Sequence, residues 1–226
     1  MKNILQKLLF NKIKNIFPPL RFFIIFLKFK SYTMIPLDIY IANLELAKRF
    51  SSIKGAVVEC GTWKGGMIAG IANLLGEGRS YYLFDSFEGL PAAKKIDGES
   101  AIRWQADKSS PDFYDNCRTS EKIAKRAMWL ANIYNPEIRK GWFKDTLPKA
   151  KFPEGIAILR LDADWYEPTL SALEYLFKYV NKGGVIIMDD YLTWDGCSRA
   201  VHNYLARHKR REKIREYNNV IFIEKL

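Results

Sequence analysis

Past residue 55, short apolar runs alternate with longer segments whose apolar residues recur at helical spacing. The runs Gly55–Glu59, Tyr81–Phe84, Ile138–Trp142, Ile156–Leu161 and Val185–Met188 are short and bounded by glycine or polar residues, which predicts strands. Gly66–Leu75, Glu121–Ile133, Thr169–Val180 and Cys197–His208 predict helices, and a further helix over residues 36–50 leads into the first strand. Such alternation predicts an α/β fold: a doubly wound, Rossmann-like, mostly parallel sheet with helices on both faces. At the end of the chain, Lys213–Tyr217 and Val220–Glu224 flank Asn218-Asn219, a pair suited to a tight turn, so the final strand is expected to be antiparallel. The irregular stretch from Gly89 to Asn116 is long enough for a lid or substrate loop.

The N-terminal pattern is different. Ile4, Leu5, Leu8, Leu9, Ile13 and Ile16 fall on one helical face with lysines and asparagines opposite, predicting a basic amphipathic helix that Pro18 and Pro19 end. The following apolar run, Phe22 to Phe29, is too short to span a bilayer and is bracketed by Arg21, Lys28 and Lys30. No small-residue cleavage site marks a signal peptide. Residues 1–35 are therefore expected to be an extension and residues 36–226 a catalytic domain. Peripheral contact of residues 1–30 with an anionic membrane, and packing of the same face on the body or on a second subunit, both remain open.

Charge narrows the classes. The net charge of +11 is concentrated in residues 1–34, which carry no acid, and in the stretch from Arg199 to Arg215; the remainder is nearly neutral. Neither basic segment carries a recognisable nucleic-acid-binding motif, so no nucleic-acid partner is expected. The 3 cysteines, Cys60, Cys117 and Cys197, are odd in number and widely spaced, which points to a reducing, cytoplasmic setting, peripheral at the inner membrane face if the basic helix binds lipid. Cys60 reads as a small buried residue, and His202 and His208 as surface or packing residues.

The chemistry concentrates at strand ends. Asp162 and Asp164 in LDADWYEPT, and Asp189 and Asp190 in IIMDDY, each follow an apolar run. Carboxylates at the carboxyl ends of adjacent parallel strands face the crevice where open sheets bind ligands, and several together suit a hard divalent cation. Helix capping is the plain alternative for any one of them. If the strand stayed extended, Asp162 and Asp164 would share a face. Earlier in the chain, VVECGTWKGG is a strand running into a glycine turn, without the GxGxxG spacing of dinucleotide folds. Asp85 ends the second strand, where a carboxylate can accept hydrogen bonds from a ribose.

The strings ECGTWKGG, FDSFEGLP, GWFKDTLP, LDADWYEPT and GGVIIMDDY, in that order, resemble the TylF/MycF family of macrocin-type sugar O-methyltransferases, over about residues 32 to 205. The resemblance implies a class I S-adenosylmethionine-dependent enzyme that uses magnesium and methylates a hydroxyl of a sugar or glycoconjugate. It implies that Glu59, Gly61, Thr62 and Trp63 border the methionine end of the cofactor, and that Asp85, Ser86 and Phe87 attend the ribose. Asp145 and Thr146 would lie near the adenine, with a helix-cap role competing for Asp145. Asp162, Asp189 and Asp190 match the magnesium ligands, and Asp164 matches a general base or a substrate ligand. Self-association is also implied. The rival expectations are a catechol-type small-molecule O-methyltransferase and a non-catalytic, membrane-associated binding module on the same fold. Trp165, Tyr166, Tyr191 and Trp194 flank the acidic motifs, either to stack on a sugar or to fill the core.

Overall fold

The computed structural model describes residues 18–226. Its centre is a seven-stranded sheet built from β1 (Ala56–Cys60), β2 (Tyr81–Asp85), β3 (Glu137–Lys140), β4 (Ile156–Leu161), β5 (Val180–Met188), β6 (Ile214–Tyr217) and β7 (Val220–Glu224). The strand order is β3-β2-β1-β4-β5-β7-β6. The first five strands are parallel to one another, while β7 pairs antiparallel with both β5 and β6. Asn218 and Asn219 take left-handed conformations in the turn between β6 and β7, which asparagine tolerates better than most residues. The order reverses between β1 and β4, and such a switch point opens a crevice beyond the carboxyl ends of those strands.

Seven helices are used below: α1 (Pro18–Phe29), α2 (Leu37–Arg49), α3 (Gly66–Leu75), α4 (Glu99–Ala106), α5 (Glu121–Leu130), α6 (Tyr166–Leu176) and α7 (Asp195–Arg207). Buried side chains from α1, α2, α3 and α5 form one core with Val57, Ile158, Val185 and Ile187 of the sheet. Side chains of α6 and α7 form a second core with Val58, Cys60, Leu159 and Ile186. Adjacent strand residues thus go to opposite cores, as the period of two requires. β1 and β4 are buried throughout, which is why their sequences show no polar alternation.

The expected boundary near residue 35 is crossed by the core. Phe22, Ile25, Phe26 and Phe29 of α1 are buried, the Phe26 ring packs edge-on against Tyr40 at 5.3 Å, and Arg21 donates to the Leu74 carbonyl at 2.9 Å. Pro18 and Pro19 stand in the first turn of α1, where a missing N–H costs nothing. They open this helix; the amphipathic helix expected before them lies outside the described residues. The stretch after Gly89 also holds more structure than expected, namely α4 and 3-10 turns at Lys95–Asp97 and Pro111–Cys117.

Candidate active site

A cavity of about 880 Å³ opens beyond the carboxyl ends of β1, β2, β4 and β5. That is large for a ligand pocket, for which roughly 300–1,000 Å³ is usual. Its wall includes Glu59, Gly61, Thr62, Trp63, Asp85, Ser86, Asp162, Asp164, Asp189 and Asp190. Thus two distant stretches of sequence, the glycine turn and the acidic strand ends, share one space.

Asp85 organises the first half. Its Oδ2 accepts from the backbone N–H groups of Thr62 and Trp63 at 2.8 and 2.7 Å, and its Oδ1 accepts from Phe87 N–H at 2.6 Å. Burial raises its pKa, and these three amides work against that rise. Trp63 and Phe87 hold left-handed backbone conformations, φ 47° and 57°, which the amide–carboxylate bonds help to fix. Gly61, with φ +85°, serves close packing: a Cβ there would lie 1.6 Å from the Asp162 carbonyl oxygen. The β1 turn therefore touches the β4 turn directly. Three buried polar atoms on this wall, Glu59 Oε2, Thr62 Oγ1 and Trp63 Nε1, have no protein partner. Buried polar groups are rarely left unsatisfied, so these are fitting handles for a polar ligand.

Beneath the cavity lies a charge hub that the sequence reading missed. Glu59 and Arg160 are register partners on β1 and β4, and Asp162 and Asp189 follow on the same face by period two, counting from Arg160 and from its β5 partner Ile187. The Arg160 side chain is 1% exposed and pairs with Glu59 at 2.9 Å, Asp162 at 2.8 Å and Asp189 at 2.5 Å. Its Nε donates to Asn43 of α2 at 3.2 Å. Burial disfavours the guanidinium charge, but Asp189, Asp162 and Glu59 outweigh it and raise the Arg160 pKa well above its ordinary value. One cation among three carboxylates leaves an excess of negative charge. Burial accordingly pushes Glu59 up to about 8, although Arg160 pulls the other way. The available signal was an arginine inside the apolar run IAILRL, which a buried strand tolerates only with acidic partners.

The second half is the carboxylate cluster. Oxygens of Asp162, Asp164 and Asp190 lie within 4.8 Å of one another. β4 ends at Leu161, and Asp164 has φ 55°, so the extended-strand route to a shared face does not apply. A left-handed turn brings Asp164 back instead. Its N–H donates to Asp190 Oδ2 at 2.9 Å, and its Oδ1 accepts from the Trp194 indole at 3.0 Å. Burial, then the charge of Asp162, raises Asp164 to about 8; burial raises Asp162 to about 6, and burial with Asp164 beside it raises Asp190 strongly. Carboxylates crowded into mutual protonation, with hard oxygen donors in reach of one another, fit a divalent cation. Asp189 is turned toward Arg160 rather than into this group.

The remaining expected residues separate. Ser86 lines the cavity, while Phe87 is buried and contributes its N–H to Asp85. Asp145 is exposed and, with Thr146, stands off the cavity wall; from the same short helical turn, Phe143 and Lys144 line it together with Trp142. The N–H of Asp145 donates to the Trp142 carbonyl, so Trp142, not Asp145, caps the turn. Trp165 is core, its indole donating to Pro91 O at 3.0 Å, whereas Trp194 faces the cavity. Trp104, Trp165 and Trp194 form an edge-to-face cluster at centroid spacings of 5.2 to 6.0 Å. Tyr191 pairs with His202, and His208 with Glu174, each at 2.7 Å.

The pattern of the macrocin-O-methyltransferase (TylF) family matches residues 31–223. The chain belongs to this family. Among relatives of the TylF family, the demethyldecarbamoylnovobiocin O-methyltransferase of Streptomyces niveus is 32% identical over 163 residues, covering 70% of this chain and 60% of its own length. The 8-demethyl-8-(2,3-dimethoxy-alpha-L-rhamnosyl)-tetracenomycin-C 4'-O-methyltransferase of Streptomyces olivaceus is 33% identical over 167 residues, 69% of this chain and 60% of the relative. This TylF-family chain thus spans about three fifths of these curated relatives. The solved structure of the O-methyltransferase NovP superposes with a TM-score of 0.68 at 27% identity, covering 86% of this chain and 82% of that one.

Proposed function

We propose that the chain is an S-adenosylmethionine-dependent O-methyltransferase acting on a hydroxyl of a sugar or glycoconjugate, with magnesium held by the acidic strand ends. The observation that carries this reading is the shared cavity: Glu59, Thr62 and Trp63, which hold unsatisfied polar atoms at the end of β1, line it together with a crowded carboxylate group at the ends of β4 and β5. The rhamnosyl group in the name of the Streptomyces olivaceus relative supports a sugar acceptor over a catechol.

Glu59 Oε2 is suited to the ammonium of the cofactor's methionine, and Thr62 Oγ1 and Trp63 Nε1 to its carboxylate or hydroxyls. Asp85 still has lone pairs for a ribose hydroxyl after its three amide contacts. Magnesium, when bound, would supply polarisation of the acceptor oxygens; Asp162, Asp189 and Asp190 would hold it. Asp164 then serves as the base, its carboxylate fixed by the Trp194 indole. Trp104, Trp142 and Trp194 offer apolar faces for a sugar ring and limit water around the reacting hydroxyl.

The crowded carboxylates give a pH test. Asp162 at about 6 and Asp164 at about 8 stand above the unfolded carboxylate value near ~4. Between these values the folded chain holds more protons than the unfolded one, so their contribution to stability is full below about pH 4 and is lost as pH rises through about 6 to about 8. The metal-free melting temperature is therefore expected to fall across that window, less so in Asp164→Asn. Magnesium should raise it more at pH 8 than at pH 5, because protons compete for the same oxygens. Equal magnesium shifts at both pH values would rule out this cluster as the binding site.

A further inference from the structure

α1 carries an apolar face on each of two opposite sides, separated along one edge by Arg21 and Lys28, and only one of these faces is used by the fold. Phe22, Ile25, Phe26 and Phe29 face the core, while Leu20, Phe23 and Leu27 on the opposite side are 42%, 39% and 53% exposed. At about 100° per residue, Leu20, Phe23, Ile24 and Leu27 fall within a single arc of roughly 100°. An uncovered apolar stripe edged by basic side chains marks an interaction surface. The next exposed apolar side chains along the chain are Met34 and Leu37, and Met34 is part of the cavity wall.

Charge decides what covers this face. Residues 1–34 carry seven basic side chains, including Arg21 and the exposed Lys28 and Lys30, and no acid. A second copy docking about a two-fold axis would bring the same basic patch against itself, since an isologous interface pairs a surface with its own copy. The lysines of residues 1–17 add more charge of the same sign. An anionic bilayer meets both requirements, burying the apolar stripe among acyl chains and neutralising the flanking bases.

We propose that the outer face of α1, with its basic flanks, is a docking surface for anionic lipid membranes. The helix lies in the interface plane; no helix among the described residues is long and apolar enough to cross a membrane. Because the same segment continues into the cavity wall at Tyr32, Thr33, Met34, Ile35 and Pro36, docking and the catalytic cavity are joined by one short stretch of chain. This inference does not depend on the methyltransferase reading.

The test is sedimentation of the full chain with vesicles of phosphatidylcholine, with and without phosphatidylglycerol. Each basic side chain near an anionic surface is worth roughly fivefold in partitioning, so binding is expected only with phosphatidylglycerol and should weaken as salt is raised. The variant Leu20→Glu/Phe23→Glu/Leu27→Glu changes exposed positions and should keep its melting transition while losing at least about tenfold in vesicle binding. Lys28→Glu/Lys30→Glu removes two of these side chains and should lower binding to anionic vesicles by at least about 25-fold. Failure of the wild type to bind anionic vesicles, equal binding by a folded triple variant, or a wild-type dimer that the triple variant abolishes would each overturn the proposal.

Discussion

Arg160→Met is expected to cost about 3–5 kcal/mol of folding stability, the usual penalty for removing one partner of a buried ion pair. For a chain of this size that lowers the melting temperature by roughly 6–20 °C. The reason is what remains: the buried Glu59 and the half-buried Asp162 and Asp189 would be left against one another with no cation. Methionine fills much of the arginine's volume, so the loss reports charge rather than a cavity. Glu59→Gln should be far milder, because Arg160 keeps two carboxylate partners, Asp162 and Asp189. Thermal unfolding of both variants checks this. An Arg160→Met protein as stable as wild type would mean that the three acids do not depend on the guanidinium.

Asp164→Asn is expected to lower turnover by about 10²–10⁴-fold, the range over which a positioned general base acts, while leaving the fold and cofactor affinity intact. Asparagine preserves the acceptor for the Trp194 indole and removes the proton-accepting carboxylate. Single-turnover methyl transfer to a sugar acceptor, alongside cofactor titration of the same variant, separates the two effects. Unchanged single-turnover rate would remove Asp164 from the chemistry. A large loss of magnesium affinity in Asp164→Asn, with little in Asp189→Asn, would instead make Asp164 a ligand, a distribution of roles suggested by the clustering of Asp162, Asp164 and Asp190.

Much of the fold was legible because strands and helices announce themselves by period. The mostly parallel sheet and the antiparallel ending follow from runs such as Ile156–Leu161 and the asparagine turn, whereas the strand order and its switch point between β1 and β4 do not. Contacts that depend on a special backbone conformation were hidden. Nothing in LDADWYEPT says that Asp164 turns back through a left-handed residue, nor that Gly61 is required by the Asp162 carbonyl. Arg160 was visible but unread, since its meaning lies in side chains of β1, β5 and α2 that only the register brings together. Motif resemblance put Asp145 and Thr146 at the cofactor, whereas the short helical turn there presents Phe143 and Lys144 to the cavity. The position of α1 was underestimated for a different reason: two prolines read as a stop are equally a start.

The most direct measurement is calorimetric titration of the purified chain with S-adenosylmethionine, in the presence and absence of magnesium. One site per chain with a micromolar dissociation constant is the expected result, with affinity lost in Asp85→Ala because the Thr62 and Trp63 amides lose their anchor. No binding heat from a folded wild-type protein, confirmed by an unshifted melting temperature at saturating cofactor, would contradict the methyltransferase assignment.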